Sequence, residues 1–164
     1  MFKDETPKSI FEIGCANGGL LKDLTEHYPD LKVGGVDISE SVLKARETFP
    51  LQAENFLIRD ISDPWPQEDQ SWDIIFSVGV LMYSFDPLPA LREMFRVGKK
   101  VVLAEYHHSA VGLGQMTQVY VDNGKIHMGI IRNYISLLKL LQIPLNCTFQ
   151  ESGDKTIIKC EIQK

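Results

Sequence analysis

The residues best placed to do chemistry are three carboxylates and a glycine-rich turn. Glu12 lies inside the apolar run Ile10-Phe11-Glu12-Ile13, directly ahead of Gly14-Cys15-Ala16-Asn17-Gly18-Gly19. A carboxylate inside a strand must find a partner or face a ligand or water. Asp37 closes Val33-Gly34-Gly35-Val36-Asp37, and Asp60 closes the run that starts at Asn55. Taken singly, Asp37 reads equally well as a cap for the helix after Ser39, and Asp60 as a turn residue, because Asp is a common turn former. Jointly, two aspartates at successive strand ends after a glycine turn favour a nucleoside site.

The elements that must position these groups follow from the pattern. Ser9 to Cys15 reads as a first strand, and the spacing of Leu20, Leu21 and Leu24 predicts a helix from about Gly18 to Tyr28. Lys32 to Ile38 reads as the second strand. Ser39 is placed to cap the next helix, which Pro50 stops. Asn55 to Ile61 is expected to be the third strand and Trp72 to Val78 the fourth. Asp86-Pro87 predicts an N-cap with proline at the first helical position, and Lys99 to Tyr106 a fifth strand. Arg96 and the lysines at the end of that helix read as dipole compensation.

The last third changes character. Asp122-Asn123-Gly124 inside the alternating run Val119 to Met128 predicts a hairpin. Arg132 to Ile143 reads as an apolar helix, with two closing strands from Asn146 to Gln150 and from Thr156 to Ile162. Alternating strands and helices predict one α/β domain with a mostly parallel open sheet, helices on both faces and an antiparallel ending.

Composition narrows the function classes. Hydrophobic residues make up 44% and charged ones 24% of 164 residues, an ordinary globular balance for one domain. A net charge of -5 without a basic run disfavours nucleic acid as the main partner. No apolar run is long enough for a membrane span. Cys15, Cys147 and Cys160 have no metal-ligand spacing and read as free thiols. The charged start, Met1-Phe2-Lys3-Asp4-Glu5, does not suit a signal sequence, so a cytoplasmic location is expected.

Five ordered landmarks give the chain a family resemblance: Glu12 to Gly18, Val36-Asp37-Ile38-Ser39, Arg59-Asp60-Ile61, Pro66 to Val80 with Ser71 to Phe76 inside it, and Val101 to Glu105. It resembles the class I S-adenosylmethionine-dependent methyltransferases, particularly those acting on small molecules. The resemblance implies a Rossmann-like sheet of about seven strands whose last strand is antiparallel. It also implies S-adenosyl-L-methionine as cofactor. Asp37 would then accept from the ribose hydroxyls, and Asp60 from the adenine amino group beside the Ile61 amide, with Ile38 on the adenine face. Glu12, Gly14, Cys15, Ala16 and Gly18 would form the turn at the cofactor, and Glu12, Gly14 and the Ser77-Val78 backbone would hold its amino-acid end. Ala16 stands where a glycine is common, which alanine tolerates if its φ is not positive.

Transfer from a sulfonium to a small-molecule acceptor needs mainly orientation, with a base where the acceptor is a hydroxyl. His107 or His108, after the fifth strand, is the candidate base or substrate contact, with Tyr83 second; a solvated loop is the plainer reading of the histidine pair. No third ligand supports a metal site there. The segment Gly129 to Tyr134 loosely matches a substrate-side element, unless Arg132 merely faces water. Only eight residues precede Ser9, where family members carry one or two covering helices. That suggests a fragment, an open site, or cover from a homodimer or partner subunit. A non-catalytic cofactor-binding or scaffold subunit is therefore the alternative. A nicotinamide-dependent oxidoreductase is a further rival, but it expects a third glycine in the turn and no antiparallel ending.

Overall fold

The computed structural model describes residues 6–106, 115–122, 125–152 and 155–163. The described residues form nine strands: β1 (Ser9–Ile13), β2 (Lys32–Asp37), β3 (Phe56–Ile58), β4 (Trp72–Val78), β5 (Gly98–Glu105), β6 (Gln115–Asp122), β7 (Lys125–Arg132), β8 (Leu145–Ser152) and β9 (Lys155–Ile162). The helices are α1 (Gly19–His27), α2 (Val42–Thr48), α3 (Leu88–Val97) and α4 (Tyr134–Leu140). Seven strands form one sheet in the order β3-β2-β1-β4-β5-β9-β8, and β6 and β7 pair separately. The first five sheet strands are parallel, while β9 runs antiparallel to β5 and β8 antiparallel to β9.

Strand alternation sorts the apolar residues into two layers. Ile10, Val33, Ile74, Phe76 and Val102 pack with Leu21 of α1 and with Val42 and Ala45 of α2. Phe11, Ile13, Ile75, Val101 and Leu103 pack on the other face with Leu91 and Phe95 of α3 and with Tyr134 and Leu138 of α4. A sheet covered on both faces is why β1 and β4 read as nearly continuous apolar runs.

Several boundaries differ from the sequence expectation for local reasons. The third strand stops at Ile58, because Asp60 Oδ1 accepts the Ser62 N–H at 2.8 Å and turns the chain out of the ladder. Ser39 Oγ accepts the Ser41 N–H at 3.1 Å, a turn ahead of α2 and not a cap on it. Asp86 Oδ1 does accept the Leu88 N–H, at 3.0 Å. Arg132 ends β7 and is not helical; α4 starts later because the Asn133 side chain accepts the Ser136 N–H at 3.0 Å. Arg96 does more than compensate a dipole. Its guanidinium donates to the carbonyls of Trp65 and Gln67 and to Glu93 and Asp69, fixing the connector before β4.

The expectation of three free thiols is corrected. The β8–β9 register puts Cys147 directly opposite Cys160 with Cα atoms 4.2 Å apart, and the two are disulfide-bonded. That spacing belongs to a non-hydrogen-bonded antiparallel pair, where side chains lie closest. Spacing along the chain could not show this, because the pairing depends on the hairpin register. Cys15 is the free thiol, and it is buried. Thiol titration of the denatured, unreduced protein is expected to find one reactive thiol per chain. Reduction is expected to lower stability by about 3 kcal/mol, the loop entropy of a crosslink of this length. Melting curves with and without reductant check this, with Cys147→Ser as the reductant-insensitive control; three thiols without reductant would contradict the bond.

Candidate cofactor site

The strand order reverses direction between β1 and β4, the switch point where open α/β sheets bind ligands beyond their carboxyl ends. A cavity of about 670 Å³ lies there. Four successive strand ends line it: Gly14 after β1, Asp37 and Ile38 at β2, Asp60 to Ser62 after β3, and residues of the Val80 to Pro89 stretch after β4. Its size suits a cofactor-sized ligand. A cavity of about 900 Å³ at the opposite edge is lined in part by Lys99, Asp73, Lys100 and Glu161. Those charges neutralise one another in the pairs Lys99–Asp73 and Lys100–Glu161, so the switch-point cavity is the better ligand site.

The turn after β1 is built by close backbone approach. Gly14 has φ 70°, and a Cβ there would fall 2.2 Å from Val80 Cγ2. The Gly14 and Cys15 amides both donate to the Val36 carbonyl, at 2.7 and 3.3 Å. Gly18 has φ 76° at the start of α1 and donates to the Cys15 carbonyl. Ala16 has φ 45°, so the expectation that its φ is not positive fails. Its N–H donates to Asp37 Oδ2 at 3.0 Å, which holds it in that strained region.

Asp37 Oδ1 accepts the Ser39 N–H at 2.8 Å, so this carboxylate braces both turns. Two ionised oxygens offer about four lone-pair sites, leaving room for ligand hydroxyls. Asp60 is exposed at the cavity, Ile38 is 70% exposed there, and Ile61 is half-buried. Tyr83 is 54% exposed on the rim. The candidates Gly14, Asp37, Ile38, Asp60, Ile61 and Tyr83 thus come together around one cavity. Glu12, Cys15, Ala16, Gly18, Ser77 and Val78 do not line it. Glu12, Cys15 and Ser77 are buried, and Val78 is 37% exposed. His107 and His108 lie outside the described residues.

Glu12 is 6% exposed, and its Oε2 meets no hydrogen-bond partner among the described residues. Burial first, and then the Asp37 charge, pushes its carboxyl up to about 8. Burial, with Glu12 and Asp37 adding to it, also pushes the Cys15 thiol up, away from nucleophilic use. Sequence reasoning missed Val80, Ser84, Phe85 and Asp86 as cavity residues and Glu105 behind them. The signal was the position of Val80 to Asp86 between the fourth strand and the Asp86-Pro87 helix start, which puts the segment on the ligand edge.

An open, mostly parallel sheet with this cavity at its switch point defines a Rossmann-like domain. A family model described as "Methyltransferase domain" matches residues 5–132, well over half of the chain. The chain belongs to this family, the class I S-adenosylmethionine-dependent methyltransferases. It is 33% identical over 87 residues to a trans-aconitate 2-methyltransferase of Variovorax paradoxus, covering 52% of this chain and 32% of that protein. It is 28% identical over 109 residues to a tRNA U34 carboxymethyltransferase of Helicobacter pylori, covering 60% of this chain and 41% of that protein. The chain thus spans about a third to two fifths of the length of these curated relatives. In fold it is similar to the glycopeptide N-methyltransferase MtfA, solved with S-adenosyl-L-homocysteine. The TM-score is 0.71 at 10% identity, over 99% of this chain and 85% of that one.

Two predictions follow from the turn. Ala16→Gly is expected to raise stability by about 0.5–1 kcal/mol, the left-handed strain less the added chain entropy; a thermal melt against the parent checks it. Glu12 has a folded pKa above its unfolded one, so the unfolded chain loses its proton first as pH rises. Stability relative to Glu12→Gln is therefore expected to fall between about pH 5 and pH 8 and to level off above, a loss on the order of a few kcal/mol. Denaturant titrations of both proteins across that range check the sign.

Proposed function

We propose that this domain transfers a methyl group from S-adenosyl-L-methionine to a small-molecule acceptor, without a metal, by in-line displacement. The observation that carries the reading is the switch-point cavity with Asp37 and Asp60 at successive strand ends and Ile38 exposed between them. The residues fit such a ligand. Asp37 has lone pairs to spare for ribose hydroxyls, and Asp60 an exposed carboxylate for the adenine amino group, with the Ile61 amide beside it. Ile38 offers an apolar surface to the ring. Glu12, with a buried oxygen that has no hydrogen-bond partner among the described residues, would balance the cationic amino-acid end, helped by the Ser77-Val78 backbone. When bound, the sulfonium supplies an already activated methyl group, so the protein's part is to align the acceptor and exclude water. Tyr83 on the rim is the acceptor contact this reading favours, with His107 or His108 as base for a hydroxyl acceptor.

A small acceptor is favoured over RNA by the net charge of -5 and by a cavity of single-ligand size. The tRNA enzyme among the relatives makes tRNA the competing acceptor. Radiolabelled transfer separates the two: the small-acceptor reading expects label in a panel of small carboxylic acids, phenols and amines, and none in tRNA. Label confined to tRNA would reverse the choice, and single-turnover failure on every acceptor would favour a non-catalytic binding subunit.

The cofactor assignment has its own test. At pH 7 Glu12 is mostly protonated, and an ammonium beside it would draw its pKa down. Calorimetric binding of S-adenosylhomocysteine in buffers of different ionisation heat is therefore expected to show release of a substantial fraction of a proton. Asp37→Ala should weaken binding at least tenfold, and Glu12→Gln should abolish the buffer dependence. Binding of NADH with no response to S-adenosylhomocysteine would overturn the assignment.

A further inference from the structure

Resting on this reading of the cavity, we propose that Arg132 is a positioning residue, working with Glu105 to hold the Val80–Phe85 wall of the ligand site. The segment leaves β4 and turns through Leu81–Tyr83 as a single 3₁₀ turn, so its backbone groups are only partly satisfied locally. Arg132 is 4% exposed at the end of β7, 47 to 51 residues away in sequence. Its guanidinium donates to the carbonyls of Leu81 at 3.1 Å, Ser84 at 2.5 Å and Phe85 at 2.9 Å. One planar fork therefore fixes three carbonyls of one short segment, which a lysine ammonium cannot reproduce. The reading of Arg132 as a residue that merely faces water is set aside by its burial.

Glu105 takes the amides of the same segment. It is fully buried at the end of β5, and its Oε1 accepts from the Val80 N–H at 3.2 Å and the Leu81 N–H at 3.4 Å. Carbonyls go to a cation and amides to an anion, so the two charges brace the segment from opposite polarities. Tyr134 is buried with them, and Glu105 and Arg132 act on its phenol with opposite sign. Gly129 completes the seat, since a Cβ there would fall 1.9 Å from Met82 Cε. Val80, Tyr83, Ser84 and Phe85 are the segment's cavity-lining residues, so the separate β6–β7 pair reaches the ligand site through Arg132. Arg132 and Glu105 themselves do not line the cavity.

The test uses the full chain, with Arg132→Met and the milder Arg132→Lys. Hydrogen exchange followed by mass spectrometry, without ligand, is expected to show the 80–85 amides exchanging at least tenfold faster in Arg132→Met. Exchange in α1 and β2 should be unchanged, with an intermediate rise in Arg132→Lys. S-adenosylhomocysteine affinity by calorimetry should fall at least tenfold in Arg132→Met and recover in part in Arg132→Lys. If Arg132→Met does not fold, Arg132→Lys alone decides. Unchanged exchange at 80–85 overturns the clamp. Faster exchange with affinity within twofold of the parent makes Arg132 a structural residue only and overturns the positioning role. A parent that binds no S-adenosylhomocysteine fails the cofactor reading itself, whatever the exchange shows.

Discussion

The carboxyl edge of the sheet depends on how closely backbone approaches backbone at the turn after β1. The turn is hydrogen-bonded to β2 through the Val36 carbonyl and pressed against Val80 on its other side. The Val80 contact leaves no room for a side chain at Gly14. A Cβ on Gly35 would lie 2.5 Å from the Cys15 Cβ, so the neighbouring strand has had to give up its side chain as well. This closeness brings the Ala16 amide within 3.0 Å of Asp37 and makes Gly14 and Val80 neighbours on one cavity wall. Glycine permits such approach and the left-handed backbone that goes with it. Ala16 reaches the same region only because a carboxylate holds its N–H.

Two buried acids, Glu12 ahead of that turn and Glu105 against the Val80 and Leu81 amides, differ in what surrounds them. Burial pushes the Glu105 carboxyl up to about 7, against the Ser77 hydroxyl, the Val80 and Leu81 amides and the Lys155 charge, all of which favour its ionised form. Glu12 has burial and the like charge of Asp37 against it, and it rises further. A group left this costly in the folded chain is where a cationic ligand has most to offer, since binding relieves what folding has not. Glu105 Oε1 is taken by the Val80 and Leu81 amides, while its Oε2, like that of Glu12, meets no hydrogen-bond partner among the described residues. This difference supports the proposed division of roles, Glu12 toward a ligand and Glu105 toward the Val80–Leu81 backbone.

The fold was largely legible in the sequence, because its signals are local and repetitive. β4 is found over the residues its apolar run marked out, and the antiparallel β8–β9 pair is found where one short connector joined two closing runs. The turn, Asp37 and Asp60 were legible for the same reason: each stands at a strand end or, for Asp60, two residues past it, and parallel strands all end on one edge. What was not legible is whatever depends on side chains meeting across long separations. Cys147 and Cys160 pair only through hairpin register. Arg132 looked like the start of a helix or a surface residue, and its partners lie in a segment with no polar signature of its own. Ala16 was misjudged because φ is set by the Asp37 bond and not by the alanine.

Asp37 shows why the local and the functional reading of a residue need not compete. Each of its oxygens accepts one backbone N–H, Ser39 on Oδ1 and Ala16 on Oδ2, so the turn-forming role is real. Those two bonds also remove its rotational freedom, aim it from the end of β2 at the cavity, and leave lone pairs unused. A carboxylate free to rotate would lose entropy on meeting a ligand, whereas this one has been ordered by folding. The Arg132 clamp follows the same logic on the facing wall, where buried charges order a segment that has little secondary structure of its own. The two sides of the cavity are thus built alike: side chains satisfy turn backbone that strands and helices leave open.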